Sequence, residues 1–261
     1  MRSRFLLLLL LTSVVPSIAP SKPPRKWFGG TFIGAIVVED GVVIGSDTRS
    51  TFIDESGKQF GYIDDIPKVF VQHGSALAIS GLSSVSGELF GTFVNRNDYL
   101  LERPVNEILF GVMLGLPFRN SSKVLLISAG FENGQSMICA KNPNDPQVCR
   151  TSGFITNRES ASLTRWLTAA RGIPPKAIEA SIALRQAIQE SAEQDATVGG
   201  MTTVVHLRSN AAPEWMESVP GDHGWKTVCD IISDYKRGRA KITFTHSKDE
   251  LDRNLNVTCP K

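Results

Sequence analysis

Three side chains with reactive chemistry are brought together by the first hairpin the sequence can form. Residues 31–38 (Thr-Phe-Ile-Gly-Ala-Ile-Val-Val) are a β-rich apolar run, Glu39-Asp40-Gly41 follows, and residues 42–47 make a second run ending in Asp47. Two such runs joined by Asp-Gly signal a tight hairpin. Antiparallel folding around Asp40-Gly41 sets Thr31 opposite about position 50, within roughly 10 Å of Asp47 at 3.4 Å per residue. The hydroxyl of Thr31, the carboxylate of Asp47 and the guanidinium of Arg49 therefore meet at one sheet end. A threonine hydroxyl needs an adjacent base before it acts as a nucleophile. Other chemistries find less support. His73, His206, His223 and His246 have no ligand spacing, so neither a metal nor another cofactor is expected. Ser83-Ser84 sits in no Gly-x-Ser-x-Gly context, so a serine triad is unsupported.

The elements that must position these groups follow from patterning. Strands are predicted at 68–72 and 76–80 around His73-Gly74-Ser75, then helices over 83–101 and 105–116. Strands return at 123–129, 135–140 and 147–150, followed by helices over 160–170 and 174–193. Ala177, Ile178, Ile182, Ala183 and Ile188 are expected on one apolar face of the second. A strand at 201–207 closes the order. Segregated runs of strands and helices point to α+β layers, and apolar strands to sheets covered on both faces. The expected fold is a four-layer αββα sandwich of two antiparallel sheets. Beyond Ala211 the chain turns polar, with a short helix at 228–235 and a strand at 241–245.

At 261 residues, with 41% hydrophobic and 21% charged residues, the chain is sized for one domain with a sizeable core. A net charge of +2 without a long basic run argues against nucleic acid as a partner. Residues 1–19 combine Arg2 and Arg4, the apolar run Phe5–Leu11 and a small-x-small ending, the order of a secretory signal peptide. An extracytoplasmic location follows, with no membrane contact after signal removal; the alternative is the cytoplasm. Residues 20–30 read as a pro-segment, 31–210 as the domain and 211–261 as a C-terminal extension. Four cysteines allow three pairings. The turn between Cys139 and Cys149 favours a bridge there, which leaves Cys229 with Cys259. Asn120 and Asn256 stand in glycosylation acceptor patterns.

The run from Gly30-Thr31 through Asp47-Thr-Arg49 resembles the opening of proteasome β subunits, whose fold is that of the N-terminal-nucleophile hydrolases. Four later segments resemble that family in order. Pro67-Lys68-Val69-Phe70 is similar to its lysine segment, and Ala78-Ile79-Ser80-Gly81 to the strand end bearing its oxyanion glycine. Arg150-Thr-Ser152-Gly153 is similar to its Ser-Gly turn, and Gln194-Asp195-Ala-Thr-Val-Gly199-Gly200-Met201 to its late Asp-x-x-Ser-Gly-Gly segment. The resemblance covers about residues 30–208. Two departures stand out: a longer loop between Arg49 and Lys68, and Val198 in place of a serine.

The resemblance implies a threonine-type peptidase that is cut between Gly30 and Thr31 and forms an acyl-enzyme on Thr31. An unperturbed α-amino group titrates at about 7.7–8.0, close to what a general base needs, and the freed amine would serve as the base. Lys68 would stabilise the developing alkoxide, Asp47 would orient Lys68, and Asp195 and Ser152 would support the amine. The Gly81 amide would bind the oxyanion. Arg49, Gly199 and Gly200 would brace the site, with Ser50, Ile79 and Ser83 around the substrate pocket. Partners would be peptide or protein substrates and other subunits of a homo- or hetero-oligomeric ring. The alternatives are a catalytically silent assembly subunit and a small-amide hydrolase of the same nucleophile class.

Overall fold

The computed structural model describes residues 31–53, 59–81, 84–85, 88–116, 124–169, 172–219, 221 and 223–245. The expected signal peptide and pro-segment, Asn120, Asn256, Ser83, His246 and Cys259 lie outside these residues. The first hairpin pairs β1 (Ile33–Val38) with β2 (Gly41–Asp47) in the register Ile33↔Ser46 to Val38↔Gly41. Glu39 and Asp40 are thus the turn, and Gly41 belongs to the strand. Continued outward, this register sets Thr31 opposite position 48, two residues nearer to Asp47 than the sequence predicts. The reason lies across the sheet. A Cβ on Gly41 would fall 1.9 Å from the carbonyl oxygen of Leu207, so glycine is required for strand approach rather than for the turn.

A second hairpin, β3 (Arg49–Ile53) with β4 (Gln59–Asp64), was not apparent from the sequence pattern. β5 (Val69–Gln72) and β6 (Ser75–Ser80) follow, joined by His73 and Gly74 with φ of 52° and 74°, the double left-handed turn that suits twisted strands. The region expected as one long helix contains instead the short pair β7 (Ser84–Val85) and β8 (Glu88–Leu89), α1 (Phe90–Arg96) and a 3₁₀ turn at Asp98–Glu102. Then come α2 (Val105–Gly115), β9 (Leu125–Glu132), β10 (Gln135–Lys141), β11 (Val148–Arg150) and β12 (Phe154–Thr156). The chain continues through α3 (Ala161–Ala169), α4 (Ala177–Gln194), β13 (Thr202–Arg208), β14 (Glu214–Trp215), α5 (Val228–Lys236) and β15 (Thr243–Phe244).

The fold is α+β with antiparallel sheets. One sheet has the order β12-β1-β2-β13-β14, another β11-β10-β9-β6-β5, and a third β15-β4-β3. Alternation along the strands assigns each face. Ile33, Ala35 and Val37 of β1 share a core with Ala76 and Ala78 of β6 and with Leu125, Ile127 and Ala129 of β9, so the two large sheets face each other. Phe32, Ile36 and Val38 turn the other way, toward Leu163 of α3 and Ala180, Leu184 and Ile188 of α4. Leu77, Ile79 and Leu126 meet α1 and α2 on the far side of the second sheet.

The buried face of α4 differs from the expected one. Ala180, Ala183, Leu184 and Ala187 are buried, whereas Ile178 is 57% exposed and Ile182 39%. Small residues let α4 lie close to the sheet, where Leu184 fits over Gly34 and Gly45. The chain beyond residue 211 packs on the same body. β14 joins β13, β15 joins β4, and Ile231 and Ile232 of α5 are buried among Phe60, Ile63 and Ile66 and their neighbours.

The register yields a direct test. Gly41→Ala should lower stability by at least about 1 kcal/mol, because overpacking against a backbone oxygen forces β2 from β13. Gly134→Ala, with φ of 78° and open space around its Cβ, should show only the backbone penalty of about 1–2 kcal/mol. Urea denaturation of both variants measures the two effects; an unchanged Gly41→Ala midpoint would reject this strand pairing.

Candidate active site

Asp47 ends β2 with no exposed surface, and a buried carboxylate must be supplied with donors. It has them from four directions. The Phe32 amide donates to Oδ1 at 2.8 Å, and the amides of Arg49 and Gly199 donate to Oδ2 at 3.1 Å each. Lys68 Nζ stands 3.2 Å from the same oxygen. Lys68, immediately before β5 and 2% exposed, also donates to the Arg49 carbonyl oxygen and, at 2.8 Å, to the hydroxyl of Thr31. Burial, its largest influence, pushes the Lys68 ammonium below the ordinary lysine range, with Asp47 opposing. Burial likewise raises Asp47, against the pull of Lys68 and of the Gly199 and Phe32 amides. A lysine eased toward deprotonation beside a hydroxyl is suited to exchanging a proton with it.

Thr31 is fixed through its carbonyl oxygen. Asn157 Nδ2 donates to that oxygen at 2.6 Å and Arg158 Nε at 3.2 Å, with the Ser80 hydroxyl at 3.5 Å. Asn157 also accepts from the Ile33 amide at 2.8 Å and donates to the Ser80 hydroxyl at 2.8 Å. Neither Asn157, Arg158 nor Ser80 was singled out as a site residue from the sequence. The signal that locates Asn157 and Arg158 is the pairing of β12 with β1, where Thr156 faces Gly34.

Asp195 follows α4. Its carboxylate accepts from the Thr197 amide at 2.9 Å and hydroxyl at 2.5 Å, and Arg158 lies 2.7 Å away. Asp195 thus reaches Thr31 through Arg158. Burial raises the Asp195 carboxyl, but Thr197 and Arg158 outweigh it and hold it below the ordinary range. Arg49 braces the same corner. It grips Asp64 with both nitrogens at 2.6 and 2.8 Å, donates to the Ala196 carbonyl at 2.9 Å and stacks 3.8 Å above the Tyr62 ring. Gly199 and Gly200 have φ of 154° and 76°, and a Cβ on either would meet Arg49 or Thr48 under 3 Å.

Two expected residues are corrected. Ser152 is exposed in the bend before β12, where Gly153 bonds the Val37 amide. That is the opposite end of β1 from Thr31, about 20 Å away at 3.3 Å per residue. Asn157, at the near end of β12, stands where Ser152 was expected. Ile79 is 1% exposed inside the core against α1 and α2, so it is sealed from any substrate. Ser50 is buried and its hydroxyl has no hydrogen-bond partner among the described residues. Gly81 follows Ser80 with φ of 100°, a conformation that glycine tolerates. Cys139 and Cys149 are bonded across β10 and β11; Cys229 is also disulfide-bonded.

No family model matches the sequence, and no curated protein does either. Solved structures do share its fold. An Anbu (Gly-1) mutant from Hyphomicrobium sp. strain MC1 superposes with a TM-score of 0.54 at 14% identity, covering 80% of this chain and 96% of its own. Anbu from Yersinia bercovieri, described as an ancestral beta-subunit, gives 0.51 at 12% identity over 72% and 88%. A further Anbu structure from the Hyphomicrobium strain gives 0.51 at 13% over 79% and 95%. The fold is Anbu-like. This corrects the expected assignment to the proteasome β subunits, since Anbu is a proteasome-like but distinct family. The motifs that carried the resemblance mark corners of a shared fold, and such corners do not separate one family from another.

Two measurements follow. Lys68→Ala should cost about 3–5 kcal/mol in urea denaturation by stranding the Asp47 charge, and Asp47→Asn with Lys68→Met should recover part of it. Because the folded Asp195 carboxyl titrates below its unfolded value of 3.8, its contribution is complete above that pH and is lost as pH falls through the folded value. Asp195→Asn should therefore be less stable than the wild type at neutral pH, with the difference closing in stronger acid.

Proposed function

We propose that this chain is an amidohydrolase of the N-terminal-threonine class, with Thr31 as nucleophile. The carrying observation is the Lys68 ammonium 2.8 Å from the Thr31 hydroxyl, itself gripped by Asp47 in a buried setting. On this reading the Thr31 hydroxyl first attacks the Gly30 carbonyl, giving an ester that water hydrolyses to a Gly30 carboxylate and a free Thr31 amine. Gly29-Gly30 offers a backbone that bends without a side chain in the way. In turnover the amine accepts the hydroxyl proton as oxygen attacks a substrate carbonyl, and passes it to the leaving amine. Lys68 steadies the alkoxide, the Gly81 amide the oxyanion, and water then releases the acyl group. Ser50 lies on the strand that flanks this site and lines the substrate side.

The wider organisation fits the same reading. The three cores would stack as helix, sheet, sheet and helix around the buried sheet end that holds Thr31. Residues 1–19 direct export, 20–30 are removed, and the domain with its C-terminal extension acts outside the cytoplasm on short or unfolded peptides, as a ring of subunits. One observation favours the silent-subunit alternative: Val198 is buried in the core with Phe32 and provides no hydroxyl to an amine.

N-terminal sequencing of the secreted protein should begin at Thr31, and Thr31→Ala should retain the pro-segment. Activity on fluorogenic peptides should fall at least about 100-fold in Lys68→Ala. A mature chain beginning near Ser21 without activity would establish the silent reading instead, and gel filtration separates ring from monomer.

A further inference from the structure

Position 158 holds a cation that none of the proposed chemistry above uses. Arg158 lies just past β12, 17% exposed, and bridges two points of the site: its Nη1 is 2.7 Å from Asp195, and its Nε is 3.2 Å from the Thr31 carbonyl oxygen. Backbone bond lengths keep a residue's nitrogen within about 3.6 Å of its own carbonyl oxygen, so the Thr31 nitrogen lies within about 7 Å of this guanidinium. We infer that Arg158 is a positioning residue that, bound to both Asp195 and the Thr31 carbonyl oxygen, sets the charge near the Thr31 amine and so keeps that amine unprotonated near neutral pH. The inference rests on the proposed N-terminal nucleophile.

The charges around Thr31 set the direction of the effect. From β2 comes Asp47, already paired with Lys68 from the segment before β5; behind Lys68 the Arg49–Asp64 pair is closed on itself. From the turn after α4 comes Asp195, and from the loop after β12 comes Arg158, whose neighbour Glu159 is exposed. Asp195 is the one carboxylate of this group whose cation is Arg158. Without Arg158, its bare negative charge would favour a protonated amine, which is useless as a base. With Arg158 in place, the carboxylate is neutralised and the cation also fixes the carbonyl side of the same residue. Val198 sharpens the need, since the turn that bears Asp195 presents an apolar side chain to the core and no hydroxyl to the amine.

The test measures the amine directly, on full-length wild type and variants after their N-terminus has been sequenced. Its titration is read twice: from the acid limb of fluorogenic-peptide hydrolysis, and from the pH dependence of acetylation by acetic anhydride, followed by mass spectrometry. Arg158→Ala should move both upward by about one pH unit, and Asp195→Asn should move both downward. Arg158→Lys should restore the wild-type position, and the double variant should return close to it. A merely structural role would lower activity without moving the titration in opposite directions. Unmoved limbs in chains that begin at Thr31 overturn this role and leave the proposed function standing. Chains that keep Gly30 while hydrolysing amides overturn both.

Discussion

Removing an ammonium from water is unfavourable by several kcal/mol unless other groups replace its hydration, and Lys68 is almost wholly removed. Its three donors are met by the Asp47 carboxylate, the Arg49 carbonyl and the Thr31 hydroxyl. Asp47 then accepts from the amides of Phe32, Arg49 and Gly199. One ion pair therefore draws five stretches of chain to a point: the start of β1, the end of β2, the start of β3, the residue before β5 and the turn after α4. Moving any of them would strand a buried charge, so the corner is specified as a unit.

That demand propagates into the backbone. For the Gly199 amide to reach Asp47, the turn after α4 must pass within contact of Arg49 and Thr48, closer than a side chain permits. Glycine at 199 and 200 removes the obstacle, and the Thr48 hydroxyl and Gly199 carbonyl then bond the passing chain through Met201, Thr48 and Arg49. Arg49 fills the remaining gap by binding Asp64 and Ala196 together. The large sheets supply the frame. β1 and β2 are buried on both faces, which leaves their ends little freedom.

Elements with a strong local pattern were legible in the sequence, and so were the residues at their ends. The β1–β2 hairpin, the strand pairs on either side of His73-Gly74 and of Asn133-Gly134, and the long α4 carry their own periodicity. Thr31, Asp47 and Lys68 inherit their placement from those strands. The β3–β4 hairpin was not legible, because its register is set by Arg49 meeting Asp64 across the pair rather than by alternation. The Ser152 expectation failed for a related reason. β12 has three residues, too few for any period, and nothing local tells which polar residue near it faces the site. Asn157 and Arg158 look like an ordinary solvated loop until β12 is laid against β1. The outward isoleucines of α4 misled in the opposite sense, since helical spacing locates a stripe but not whether a sheet lies beneath it.

The hold on Thr31 has a direction that matters for the proposed chemistry. Beyond Thr156 the ladder between β12 and β1 continues in two forms: the Asn157 amide bonds the Ile33 carbonyl, and the Asn157 side chain imitates a further backbone pair with Ile33 and Thr31. The Asn157 side-chain amide nitrogen, Arg158 and Ser80 all meet Thr31 at its carbonyl oxygen, and the Lys68 bond reaches its hydroxyl. None of these bonds uses the nitrogen. The spacing between hydroxyl and lysine is therefore independent of whether that nitrogen is an amide joined to Gly30 or a free amine. On the proposed reading, a site built this way would already be arranged in a precursor, and the same geometry would suit both the cut that frees the amine and the reactions that follow it.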